Sequence, residues 1–96
     1  MINRDDVLEV IYDSISGIND VNGYSLSLSE DTVLFGSNSE LDSIDFVSLV
    51  VSIEDNMQVR LGHYISLTSE KAMSVKNSPF RTVKTLTDYI LELINE

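Results

Sequence analysis

Cysteine is absent from this chain of 96 residues, which removes disulfides, thiolate metal sites and a protein thiol nucleophile together. Cations are scarce. Six Lys and Arg face sixteen Asp and Glu, a formal charge of −10 that repels nucleic acid phosphates and anionic lipid and points to protein partners offering Lys and Arg patches. There is a single histidine, His63, with no acidic or nucleophilic companion in a recognisable spacing, so it reads as a solvated loop residue and not as a general base. The four glycines do not form a phosphate-cradling loop, and no Ser-His-Asp set or metal-ligand cluster is visible, so an enzyme is not expected. Long apolar runs are also missing. None approaches the ~20 residues that span a bilayer, and the opening Met-Ile-Asn-Arg-Asp-Asp has no basic region leading into an apolar stretch. The expectation is a cytoplasmic chain that does not enter membranes.

What is present is a real core. Apolar residues make up 43% of the chain, interleaved with the acidic ones, and the length suits one domain over 1–96. The first predicted helix runs from Arg4 to about Ile18. Asn3 can cap it, Asp5 and Asp6 suit its positive end, and Val7, Ile11, Ile15 and Ile18 form a stripe with Leu8 and Val10 at its margins. Gly17 and then Asn19 to Gly23 are expected to close it. The acidic and amide residues of that loop resemble an EF-hand, but with Gly23 at the sixth position the last ligand would be Ser29, so a turn is expected. A long loop follows, in which Leu26, Leu28, Val33, Leu34 and Phe35 are expected to touch the core.

The stretch from Leu34 to Asp55 reads as a polar loop feeding a second helix. Asp42 can serve as N-cap, with Asp45 three residues on giving an imperfect capping box. Ile44, Val47, Val50, Val51, Ile53 and Met57 recur at spacings of three and four, predicting the face laid on the core. Ser43 then falls in the first helical turn, facing water, where a phosphate ester would lie beside free amides and the positive end of the helix dipole. An Asp-Ser pair before an apolar run is most often a plain helix start, since both residues are favoured there for capping.

Further along, Gly62 is predicted to stop the second helix near Met57 to Arg60. Thr68 or Ser69 can cap a short third helix to about Ser74, with Met73 and Val75 inward. The last helix is predicted from Val83 to about Ile94, capped by Thr82, with Val83, Leu86, Ile90 and Leu93 on one face and Tyr89 and Ile94 beside them. Pro79 bars helix continuation from upstream. Tyr64, Phe80 and Tyr89 read as ordinary core or rim aromatics. The fold class predicted is all-α, a small four-helix bundle with three longer helices, one short helix and a long first loop. A monomer is expected, because no apolar stripe is left over once the bundle is assembled.

The string Glu-Leu-Asp-Ser-Ile-Asp-Phe-Val-Ser-Leu-Val-Val-Ser-Ile-Glu-Asp, residues 40–55, resembles the attachment motif of the acyl carrier protein family, in which an Asp-Ser-Leu-like triplet opens the second helix. Phe80 to Ile90 is similar to the segment that opens the family's last helix. The resemblance implies that Ser43 carries a covalent 4′-phosphopantetheine arm, with Asp42 beside it in the motif, installed by a phosphopantetheinyl transferase from coenzyme A. The arm's thiol, a sulfur the chain itself lacks, would hold acyl groups as thioesters for a fatty-acid, polyketide or other specialised biosynthetic pathway. Acyl-loading and acyl-transfer enzymes with basic patches would dock around the helix start, on Glu40, Asp42, Asp45, Glu54 and Asp55 for charge and on Leu41, Ile44 and Phe46 for apolar contact. Phe46 has a second reading as a core residue at a slightly rotated register.

The sequence departs from the family pattern in four places. Ile44 replaces leucine, Phe46 a small polar residue and Ser48 a glutamate, while the run between the second and last helices is longer and includes Lys76 to Phe80. These differences imply a specialised carrier. The alternatives left open are an aminoacyl or peptidyl carrier and an unmodified acidic helical interaction module.

Overall fold

A computed structural model describes residues 2–34, 41–67 and 80–95, apart from the side chain of Ser43. Three helices are found there: α1 (Arg4–Asn22), α2 (Ser43–Leu61) and α3 (Val83–Ile94). The all-α expectation is met among the described residues. The short helix predicted around 68–74, with Met73 and Val75, lies outside them, as do Phe35 and Glu40.

Helix α1 is the centre of the molecule, packed against both α2 and α3. It buries Val7, Val10, Ile11, Ser14, Ile15 and Ile18, alternating steps of three and one that widen the apolar stripe enough to meet two neighbours. Val10, predicted at the margin, is fully inside for that reason. Asn3 caps the helix as expected, in a reciprocal capping box with Asp6. The C-terminus is corrected. The helix runs through Gly17 to Asn22 and ends at Gly23, whose φ of 73° supplies the left-handed turn and whose N–H reaches the Asn19 carbonyl at 2.9 Å. A single interior glycine costs only about 1 kcal/mol, less than burial of the adjacent Ile18 returns.

Helix α2 has a different register from the one predicted. Phe46, Leu49, Val50, Ile53 and Met57 are buried, whereas Ile44, Val47 and Val51 are exposed by 78%, 50% and 51%. The helix carries two apolar stripes, and the core takes the one with the larger side chains, which removes more apolar area from water. Phe46 meets Phe80 edge to face, with ring centroids 5.6 Å apart and planes at 80°. An apolar stripe therefore does remain outside the core, which overturns the ground given for expecting a monomer. Gly62, with φ 65°, ends α2 one residue beyond the predicted range.

The first loop is stitched to its neighbours. The Asn19 side chain pairs with the Leu26 backbone in both directions, at 3.0 and 3.1 Å, as a strand neighbour would. Leu26 and Leu34 enter the core as expected, but Leu28 points outward. An isolated antiparallel bridge joins Val33 to Thr82. Around it the Leu34 N–H donates to the Arg81 carbonyl at 2.8 Å, and the Val83 and Lys84 N–H groups donate to the Thr32 and Glu30 carbonyls at 3.1 and 2.9 Å. Amides at the start of α3 that have no intrahelical partner are thus satisfied by the loop. Thr82 and Thr85 complete a capping box there, and Val83, Leu86 and Ile90 are buried with Leu93, Tyr89 and Ile94 at the rim, as predicted.

Two arginines tie the periphery together. Arg4 bridges Glu30 in the loop and Asp88 on α3, while Arg60 bridges Glu9 and Asp13 on α1. These groups are substantially solvated, so each pair adds at most about 1 kcal/mol.

Candidate functional site around the start of α2

The site is built at the first turn of α2. Asp42 is the N-cap in extended backbone conformation, and its Oδ1 accepts from the Asp45 N–H at 2.8 Å while its carbonyl accepts from the Phe46 N–H at 2.9 Å. The short acidic side chain does what an N-cap requires, satisfying an amide that has no carbonyl four residues earlier. Ser43 is the first helical residue. The prediction that its hydroxyl faces water concerns a side chain outside the described residues.

Asp45 behaves differently from the imperfect capping box predicted for it. Its side chain turns toward α1: Oδ2 accepts from the Tyr24 hydroxyl at 2.5 Å and Oδ1 from Asn22 Nδ2 at 3.0 Å. The hydrogen bond to Asp45 holds the Tyr24 phenol above its ordinary pKa, helped by desolvation and opposed by the nearby Asp42 backbone. Neither Tyr24 nor Asn22 is marked by any local sequence signal. Their pairing with Asp45 spans more than twenty residues, and no periodicity reports a contact of that kind.

The predicted docking residues separate into groups. Ile44 and Asp55 are exposed, Leu41 is half-buried against the core, and Glu40 is outside the described residues. Phe46 is withdrawn from the surface: at 5% exposure it belongs to the core, the second of its two readings. Glu54 is half-buried and accepts the Leu67 N–H at 2.8 Å, so its carboxylate anchors the chain leaving α2 as Ile65 and Leu67 enter the core.

No family model matches the chain, and no curated protein or solved structure matches it. The functional reading therefore rests on the residues themselves.

Beside the Asp42–Ser43 turn, a cleft of about 450 Å³ opens between α1 and α2, lined by Ser14, Gly17, Val21, Asp45, Ser48 and Ser52 among others. At its floor the buried Ser14 hydroxyl donates to the Val10 carbonyl at 2.9 Å and accepts from Asn56 Nδ2 at 2.8 Å. His63 is half-buried after the α2 cap. Among the described residues no three His, Asp or Glu side chains converge as a metal site, and no helix is long and apolar enough to cross a membrane.

Proposed function

We propose that the chain is a carrier which holds acyl groups on a 4′-phosphopantetheine arm attached to Ser43 and presents them to partner enzymes. The observation that carries the reading is the position of the carrier-like motif: Asp42 is the N-cap and Ser43 the first residue of the 19-residue helix α2. A phosphodiester at that position lies next to first-turn amides and the positive helix end, an interaction of about 0.3–1 kcal/mol at an exposed site. These backbone donors fit a phosphate with no demand on other side chains.

The arm supplies a thiol for thioester formation. This chain's own contribution is to hold the attachment point at a capped helix start and to offer a docking surface around it. The outer face of α2 suits that task, because Ile44, Val47 and Val51 are exposed there next to Asp55 and close to the Asp42 cap. The apolar residues provide contact area, and the charge of −10 steers partners with basic patches. The same charge opposes association of two copies at low salt. Tethering makes delivery effectively intramolecular once a partner has docked.

The test is incubation with coenzyme A and a promiscuous phosphopantetheinyl transferase, followed by intact-mass spectrometry. The wild-type chain should gain the mass of one phosphopantetheine and Ser43→Ala none. No gain by the wild type leaves an unmodified acidic module, and an equal gain by both proteins removes Ser43 from the assignment. Loading the modified chain from acyl and from aminoacyl donors then separates an acyl carrier from an aminoacyl or peptidyl one.

A further inference from the structure

An acid at the third position of a helix ordinarily turns back to accept the backbone N–H of the N-cap, closing a capping box. In α2 the acid turns outward to a phenol instead. The Tyr24 hydroxyl donates to Asp45 Oδ2 at 2.5 Å, and Asn22 Nδ2 fills the remaining carboxylate oxygen at 3.0 Å. The first turn of α2, which contains Ser43, is therefore braced from outside its own helix. Asn22 is the last residue of α1 and Gly23 its left-handed cap, so the brace ties the end of one helix to the beginning of the next.

We infer that Tyr24 and Asn22 are positioning residues for modification of Ser43, acting through Asp45 to hold the Asp42–Ser43 turn in a single conformation. This rests on the carrier reading. Attachment of the arm forms a bond from the Ser43 oxygen to the β-phosphorus of coenzyme A. The bond from that phosphorus to the oxygen of the departing 3′,5′-adenosine bisphosphate breaks, and the hydroxyl proton passes to the transferase or solvent. Such a displacement needs the attacking oxygen in line with the leaving group, and a fraying first turn meets that geometry in only a fraction of encounters. Both oxygens of the Asp45 carboxylate are engaged by the brace, so Asp45 contributes to the shape of the turn more than to the charge a partner meets. Loss of the brace accordingly lowers the fraction of productive complexes and leaves docking intact.

The discriminating measurement is the steady-state rate of arm transfer to the full chain, with coenzyme A and a promiscuous transferase, over a range of chain concentrations. Tyr24→Phe deletes only the bridging oxygen. It should lower kcat about tenfold, the equivalent of one hydrogen bond to a charged group, with KM for the chain unchanged. Asn22→Ala, on an exposed residue, should lower kcat in the same sense, and provides the test if Tyr24→Phe disturbs the fold by circular dichroism. In an Asp45→Ala background, Tyr24→Phe should have no further effect, because the partner it acts through is gone. If the wild type is loaded while both single variants keep the wild-type kcat, or change KM alone, the positioning role is overturned and the carrier reading stands. If the wild type itself takes no arm, the carrier reading fails and this inference fails with it.

Discussion

Two neighbouring residues on α2 separate the observed register from the one the periodicity favours, and a pair of substitutions tests it. Phe46 is 5% exposed with its ring edge to face on Phe80 at 5.6 Å, whereas Ile44 is 78% exposed. Phe46→Leu keeps an apolar side chain but removes the aromatic pair, worth about 0.5–1.5 kcal/mol, and adds a shape mismatch of up to about 1.5 kcal/mol. The sum is roughly 0.5–3 kcal/mol. For a domain of this size each kcal/mol moves Tm by about 4–8 °C, so Tm should fall by roughly 2–24 °C. Ile44→Ala removes methyl groups that already meet water and replaces a β-branched residue with the best helix former, so its effect should stay within about 0.5 kcal/mol in either direction. Thermal unfolding of both variants, followed by circular dichroism at one pH and concentration, provides the comparison. Equal losses of Tm, or a larger loss for Ile44→Ala, would refute the assignment of the two stripes.

Other consequences are open to direct measurement. Ser14→Ala leaves Asn56 Nδ2 without its buried acceptor and should cost about 1–2 kcal/mol in denaturant unfolding, whereas Ser52→Ala at the cleft rim should be near neutral. Gly62→Ala forces a Cβ into a φ of 65° and should cost about 1–2 kcal/mol; an unchanged midpoint would show that the cap is not held in the left-handed region. The raised pKa of Tyr24 means that its contribution to stability is complete below about pH 10 and is lost as pH rises through the folded value. One of the four tyrosines should therefore titrate late by tyrosinate absorbance and be missing from the late phase in Tyr24→Phe. Asp88 is shifted the other way: the Arg4 hydrogen bond lowers its pKa, so this small contribution is present above the ordinary value of 3.8 and disappears as pH falls through the folded one. Arg4→Met should remove that part of the acid dependence of Tm.

The features legible in the sequence are those decided within one turn of backbone. Asn3, Asp42 and Thr82 cap their helices, and Gly62 ends α2, because the groups they satisfy lie within four residues. The end of α1 was obscured by two glycines, of which Gly23 and not Gly17 has the positive φ. The α2 register was not legible because both of its stripes are apolar, and the choice between them is made by tertiary partners, Phe80 from the far end of the chain among them. The same division runs through the candidate site. The Asp42–Ser43 turn is a local pattern, whereas the Tyr24 and Asn22 contacts with Asp45, and the Glu54 contact with Leu67, arise only when distant segments meet.

The seam at Val33 and Thr82 has a bearing on how this chain tolerates change. It fastens the two ends of the intervening excursion side by side, and inside that excursion Leu67 and Phe80 are both sunk in the core as fixed posts. The start of α3 is therefore placed by the first loop as well as by its own cap, so that damage to either side of the seam reaches both.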